Sequence, residues 1–139
     1  MTPYPRLFAP LRLGNLTLRN RVVFSAHLTN YAENGLPTEQ HASYYEARAR
    51  GGAGLIITEE HSTHPTDWPY EKLIHGFHRD VIPGYRRITD AVHRHRVPIF
   101  AQINHNGGQA SSMRAPPQSA HPLDAFSGKR QVALQCRQT

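Results

Sequence analysis

The side chains best equipped for chemistry crowd into one stretch, "TEEHSTHPTDW", Thr58 to Trp68. It holds Glu59, Glu60 and Asp67 beside His61 and His64, the two histidines spaced H-x-x-H. Such a segment could bind a metal, move protons or line a ligand. A helical zinc pair prefers histidines four apart, with a third ligand and a general-base glutamate. Here the spacing is shorter and Pro65 interrupts, so the metal signal is weak, although Glu59 and His61 could still join the metal site of a barrel hydrolase. A ligand-lining loop and a merely solvated loop both remain open on local grounds. Gln102 inside the apolar "IFAQIN" is either a satisfied core amide or one that faces a ligand. An amide both donates and accepts, which suits a heteroaromatic edge. After it, His105-Asn106 runs into Gly107-Gly108, where backbone can approach closely. No G-x-G-x-x-G and no phosphate-binding P-loop is present. Ser25 and Ser62 lack a nucleophile-elbow context. The single cysteine, Cys136, offers neither an internal disulfide nor a cysteine-rich zinc site.

The elements that must position these groups can be read from periodicity. Leu11-Arg12-Leu13 and Leu16-Thr17-Leu18 alternate about Gly14-Asn15, a small hairpin. Val22-Val23-Phe24 is a continuous apolar run, expected to be a strand buried on both faces. A polar loop with Asn30, Asn34, Gly35 and Pro37 follows. "TEQHASYYEARARGG" predicts a helix: Thr38 caps it, Ala42, Tyr45 and Ala49 make one apolar face, and Gly51-Gly52 stops it. "AGLIITE" predicts a second buried strand, with the opening stretch as the loop beyond its end. A second helix is expected over Pro83 to His95 with Ile88, Ala91 and Val92 inward, and Pro98 opens a third strand, "PIFAQIN". Strands alternating with helices predict a parallel α/β sheet. In such sheets ligands gather at the strands' C-terminal ends. Three polar loops qualify: Ser25 to Asn30, Glu59 to Trp68 and Gln102 to Gln109.

The chain has 139 residues, enough for one small core, and a net charge of +6. Arg114, Lys129, Arg130 and Arg137 against Asp124 place half of that excess in residues 114–139, and no dense basic run occurs. Nucleic acid is therefore not the expected partner. No apolar run approaches the roughly 18 residues of a membrane span, and no signal-peptide pattern opens the chain, so a cytoplasmic setting without membrane attachment is expected. The tail "RAPPQSAHPLDAFSGKRQVALQCRQT" has no period of its own; Val132, Ala133 and Leu134 make at most a short element.

Four segments in order, "LFAPLRLGNLTLRNRVVFSAHLT", "GLPTEQHASYYEARARGGAGLIITEE", "VIPGYRRITDAVH" and "FAQINHNGGQA", resemble the N-terminal part of the Old Yellow Enzyme family. Within it, the 2,4-dienoyl-CoA reductase-like NADH:flavin oxidoreductases are the more similar group. "SAHLTNYA" and "EEHSTHPTDWPYEKLIHGFH" resemble the branch associated with mycofactocin gene clusters. The resemblance covers about residues 6–113. It implies an FMN-dependent (β/α)₈ barrel that passes hydride from NADH or NADPH through FMN to an electron-poor alkene or related small-molecule acceptor. It also implies flavin contacts from Ser25, Ala26, His27 and Leu28, from the position of Glu60, and from Gln102 against the isoalloxazine edge. His61 and His105 would stand by the substrate pocket. Many relatives read Ala-Pro-Met-Thr where this chain has Ala26-His27-Leu28-Thr29, and a small residue where it has Glu60. The opening stretch is thus expected to be a loop at the flavin's edge rather than a metal site.

A complete barrel takes roughly 250 residues, and this chain supplies about three of eight units after its hairpin. The resemblance places the substrate-anion pair and the phosphate-binding loops on later strands, so no catalytic residue is expected within the chain. The expected organisation is 1–113 as the N-terminal part of a truncated barrel domain and 114–139 as a basic tail, frameshifted or disordered. Three readings follow. The chain is a piece inactive alone, an enzyme completed by association that covers the open barrel edge, or a non-enzymatic interaction fragment.

Overall fold

The computed structural model describes residues 3–106 and the backbone of a strand at Val132–Gln135. Strands β1 (Leu11–Leu13) and β2 (Leu16–Leu18) form the expected antiparallel hairpin, with Leu13 opposite Leu16. Gly14 takes φ 57 in its turn, the backbone region a hairpin of this length needs at that position. The main sheet has the order β3-β4-β6-β7, where β3 is Val23–Phe24, β4 is Leu55–Ser62, β6 is Ile99–Asn104 and β7 is Val132–Gln135. β3, β4 and β6 run parallel, joined by helices α1 (Glu39–Arg50) and α2 (Val81–His93), while β7 lies antiparallel to β6. This is the expected β-α-β-α-β order, and successive strands are neighbours in the sheet.

α1 forms where the sequence places it, and α2 starts and stops two residues before the expected Pro83 and His95. Thr38 donates its backbone N–H to Nδ1 of His41 at 3.0 Å, closing the first turn of α1, and Gly52 at φ 103 leads the chain out of it. Ala42, Tyr45 and Ala49 of α1 meet Ile88, Ala91 and Val92 of α2 over Ile56 and Ile99 of the sheet, the main core. Glu46 of α1 bonds Arg94 and His95 beyond α2, each at 3.2 Å, fastening the two helices. At the opposite end of the strands from the polar loops, Arg19 donates to the carbonyls of Ala49 and Ala53, and Asn20 to that of Gly52.

Three expectations need correction. The Val22-Val23-Phe24 run is not buried on both faces: Val22 and Val23 stay exposed, because β3 is only two residues long and, among the described residues, pairs with β4 alone. The strand read as "AGLIITE", which ends at Glu59, continues through Ser62, so Glu60, His61 and Ser62 lie in β4 and not in a loop. The long loop beyond it contains a further strand, β5 (Ile74–His75), which pairs in parallel with His61 and Ser62. Gly107, Gly108, Gln109 and Cys136, singled out above, lie outside the described residues.

Candidate functional site

The site is shaped by one extra residue in β4. Ile57 pairs with Phe100 and Glu60 with Gln102, so two residues, Thr58 and Glu59, stand opposite Ala101 alone. This is a β-bulge, a device common at barrel rims that re-aims side chains. Burial along β4 shows its effect: Thr58 and Glu59 are both buried, Glu60 is half-buried, and His61 and Ser62 are buried again. Glu60 and Gln102, being in register on parallel strands, share one face of the sheet. Glu59 and His61 turn to the helix side.

Glu59 is 1% exposed and its carboxylate accepts three hydrogen bonds. Oε2 accepts the backbone N–H of Thr29 at 2.9 Å; Oε1 accepts the Thr29 hydroxyl at 2.8 Å and Nε2 of His41 at 2.6 Å. Since Nδ1 of His41 accepts the Thr38 N–H, the ring proton resides on Nε2 and is donated to Glu59. Burial alone would raise the Glu59 pKa; the bonds from His41 and from Thr29 outweigh it and hold the carboxyl below its ordinary 4.5. The backbone N–H of Glu59 donates to the hydroxyl of Tyr45 at 2.9 Å.

His61, 3% exposed, donates Nδ1–H to the backbone oxygen of Gln102 at 2.7 Å and lies 5.0 Å from the ring of Tyr85 on α2. Burial pulls its pKa from 6.5 to about 4, against the opposing pull of the Gln102 oxygen and of Glu59. Its Nε2 and the Tyr85 hydroxyl have no hydrogen-bond partner among the described residues.

The loops at this end are tied to one another. Asp67, buried beyond β4, accepts the backbone N–H of Asn106 at 2.6 Å and its side-chain amide at 2.8 Å. The rings of His64 and His105 meet edge to face at 6.1 Å. After β3, Ser25, His27 and Leu28 are exposed and Ala26 is half-buried. Nε2 of His27 bonds the Tyr44 hydroxyl of α1 at 2.7 Å, and its ring packs edge-on against Phe24. The structure thus brings Glu60, Gln102, His105 and the loop after β3 to the C-terminal ends of the parallel strands. It draws His27 toward α1 and hides His61 beneath α2. The His41–Glu59–Thr29 triad was not singled out from sequence, although a carboxylate inside an apolar strand signals a buried partner.

The sequence model of the NADH:flavin oxidoreductase / NADH oxidase family matches residues 6–139, further along the chain than the resemblance read from its motifs. The NADH oxidase of Thermoanaerobacter brockii is 40% identical over 116 residues, covering 80% of this chain and 17% of that protein. The N,N-dimethylglycine/sarcosine dehydrogenase of Chromohalobacter salexigens is 39% identical over 107 residues, 75% of this chain and 15% of its own length. Among solved structures, the old yellow enzyme from Trypanosoma cruzi superposes with a TM-score of 0.73 at 32% identity, over 86% of this chain and 33% of that one. The chain therefore spans about a third or less of the length of each of these three proteins.

Proposed function

This chain belongs to the NADH:flavin oxidoreductase / NADH oxidase family, and from that premise we propose that its strand ends form one side of the flavin site of an FMN-dependent NAD(P)H oxidoreductase. The observation that carries the reading is the in-register pair Glu60 and Gln102, on one face at the C-terminal ends of β4 and β6. The residues present fit one edge of FMN. The half-buried Gln102 amide offers both a donor and an acceptor, as a flavin edge requires. Ser25, Ala26, His27 and Leu28 border the same end with backbone groups free of the sheet ladder. The chemistry FMN supplies when bound is uptake of hydride from NADH or NADPH and its delivery to an electron-poor alkene or a related acceptor.

Within this proposal the protein's groups have separate tasks. Gln102 orients the ring edge. Glu60 tunes it, since a carboxylate beside a ring that becomes more electron-rich on reduction opposes that reduction. His105 stands at the pocket wall. His61 acts from behind, through its bond to the Gln102 backbone oxygen. A cytoplasmic setting fits this assignment; no helix among the described residues is long and apolar enough to cross a membrane. Association along the β3 edge, where Val22 and Val23 are exposed, would add the neighbouring barrel wall.

The test is titration of the folded chain with FMN, followed by flavin absorbance and fluorescence. Saturable binding with a perturbed spectrum is expected, weakened about tenfold by Gln102→Leu. A folded chain that leaves the flavin spectrum unchanged rejects the reading.

A further inference from the structure

We infer that Glu59 is a positioning residue: it locks the loop after β3 in place through Thr29, and so sets the affinity of the cofactor site without touching the cofactor. The inference rests on the flavin reading given above for its consequence, and on geometry alone for the lock.

A fully buried carboxylate is costly unless donors saturate it, and a leucine would fill the same space without that demand. What distinguishes Glu59 is where its bonds go. Two of its three side-chain bonds reach Thr29, one to the backbone N–H and one to the hydroxyl. The third comes from His41, which the Thr38 N–H holds in the donating tautomer. The same Thr38 sends its hydroxyl to the carbonyl of Tyr31 at 2.9 Å. The loop is therefore fastened at Thr29 and at Tyr31 to two rigid elements, β4 and the first turn of α1. Between the two fastenings, Asn30 sits at φ 59, the left-handed region that asparagine accepts more readily than other non-glycine residues, and so turns the chain from one fastening to the next. The bulge at Thr58 and Glu59 is what turns the carboxylate toward this loop while leaving Glu60 on the face of Gln102.

Glu59→Gln is the discriminating change. It keeps the size, but an amide cannot accept at both of its ends, so either the Thr29 N–H or the His41 and Thr29 hydroxyl donors must meet an NH₂ group. Residue-resolved amide hydrogen exchange of the full chain reads the result directly. In Glu59→Gln, exchange of the Thr29 and Tyr31 amides, which are held through this carboxylate and the Thr29 hydroxyl, is expected to quicken by about tenfold or more, while Ile56, Ile57 and Ile99 keep their protection. Thr29→Val, which removes the hydroxyl bonds and keeps the backbone bond to Glu59, should quicken the same amides to a smaller degree; Thr29→Ser should restore wild-type protection. FMN affinity should fall in the same order as loop protection is lost. Unchanged loop exchange in both Glu59→Gln and Thr29→Val overturns the lock. Loss of protection spread evenly over loop and sheet also overturns it, since Glu59 would then be a core group only. If the wild-type chain binds no FMN, the flavin reading fails, and the exchange pattern still decides the lock.

Discussion

Between pH 6.5 and about 4, acidification should destabilise this protein through the side chain of His61. In the folded state its imidazole stays neutral down to about 4, because it is buried beneath α2; in the unfolded chain it titrates at the ordinary 6.5. Between those values the unfolded state holds a proton that the folded state refuses, so acid favours unfolding. The stabilisation is complete above pH 6.5 and is lost as pH falls toward about 4. The slope is about 1.4 kcal/mol per pH unit and the whole loss about 3 kcal/mol. The assay is urea unfolding at a series of pH values for the wild type and for His61→Phe, which keeps a ring in the space and cannot titrate. Neutral-pH stability will differ between the two, because the bond to the Gln102 oxygen is gone in the variant. The informative quantity is how that difference changes with pH: wild type should lose about 3 kcal/mol more than the variant on descending through the window. Glu59 and Glu46, whose carboxyls are held below 4.5, begin to lose their contributions at the bottom of this window, but both are present in the two proteins and cancel in the difference. Parallel pH profiles for the two proteins would refute the assignment of a buried neutral His61.

Other perturbations test neighbouring parts of the account. Glu60→Ala in the FMN-loaded chain should raise the flavin midpoint potential by about 30 mV, one factor of ten for a two-electron couple, as read by spectroelectrochemistry; an unmoved potential would remove Glu60 as the tuning group. Gly54→Ala should destabilise by about 1–3 kcal/mol in thermal melts, because a Cβ there collides with the Asn20 side-chain and backbone oxygens, and wild-type stability would show that this packing is slack. Asp67→Ala leaves the Asn106 N–H and amide without their acceptor; a loss of about 1–3 kcal/mol in chemical denaturation is expected, and no loss would mean the two loops are not tied through this carboxylate.

Much of the scaffold was legible because its signals are local. Thr38, the Ala42/Tyr45/Ala49 stripe and Gly51-Gly52 delimit α1, and Gly14 between two alternating triplets marks the hairpin. What sequence pattern missed depends on partners far along the chain. A bulge adds one residue within a continuous polar and apolar strand, where no alternation exists to be interrupted, so the division between Glu59 and Glu60 could not be read. β5 is two residues long and exists by pairing with His61 and Ser62, not by its own propensity. Val22 and Val23 look like core residues, yet apolar character states only what a residue would bury against, not whether a neighbour is there. Residue type alone does not sort the polar groups at the strand ends: of the histidines in the chemistry-rich stretch, His61, expected by the substrate pocket, faces α2, while His64 meets His105 across the loops.

The most direct measurement is a map of amide chemical-shift changes in the full chain as FMN is added. Shifts concentrated at residues 25–28, at 60–62 and at 102–105, with the β1–β2 hairpin and residues 51–54 silent, are the expected result. Shifts centred on the opposite end of the strands, or none at all in a folded chain, would contradict a flavin site built at these strand ends.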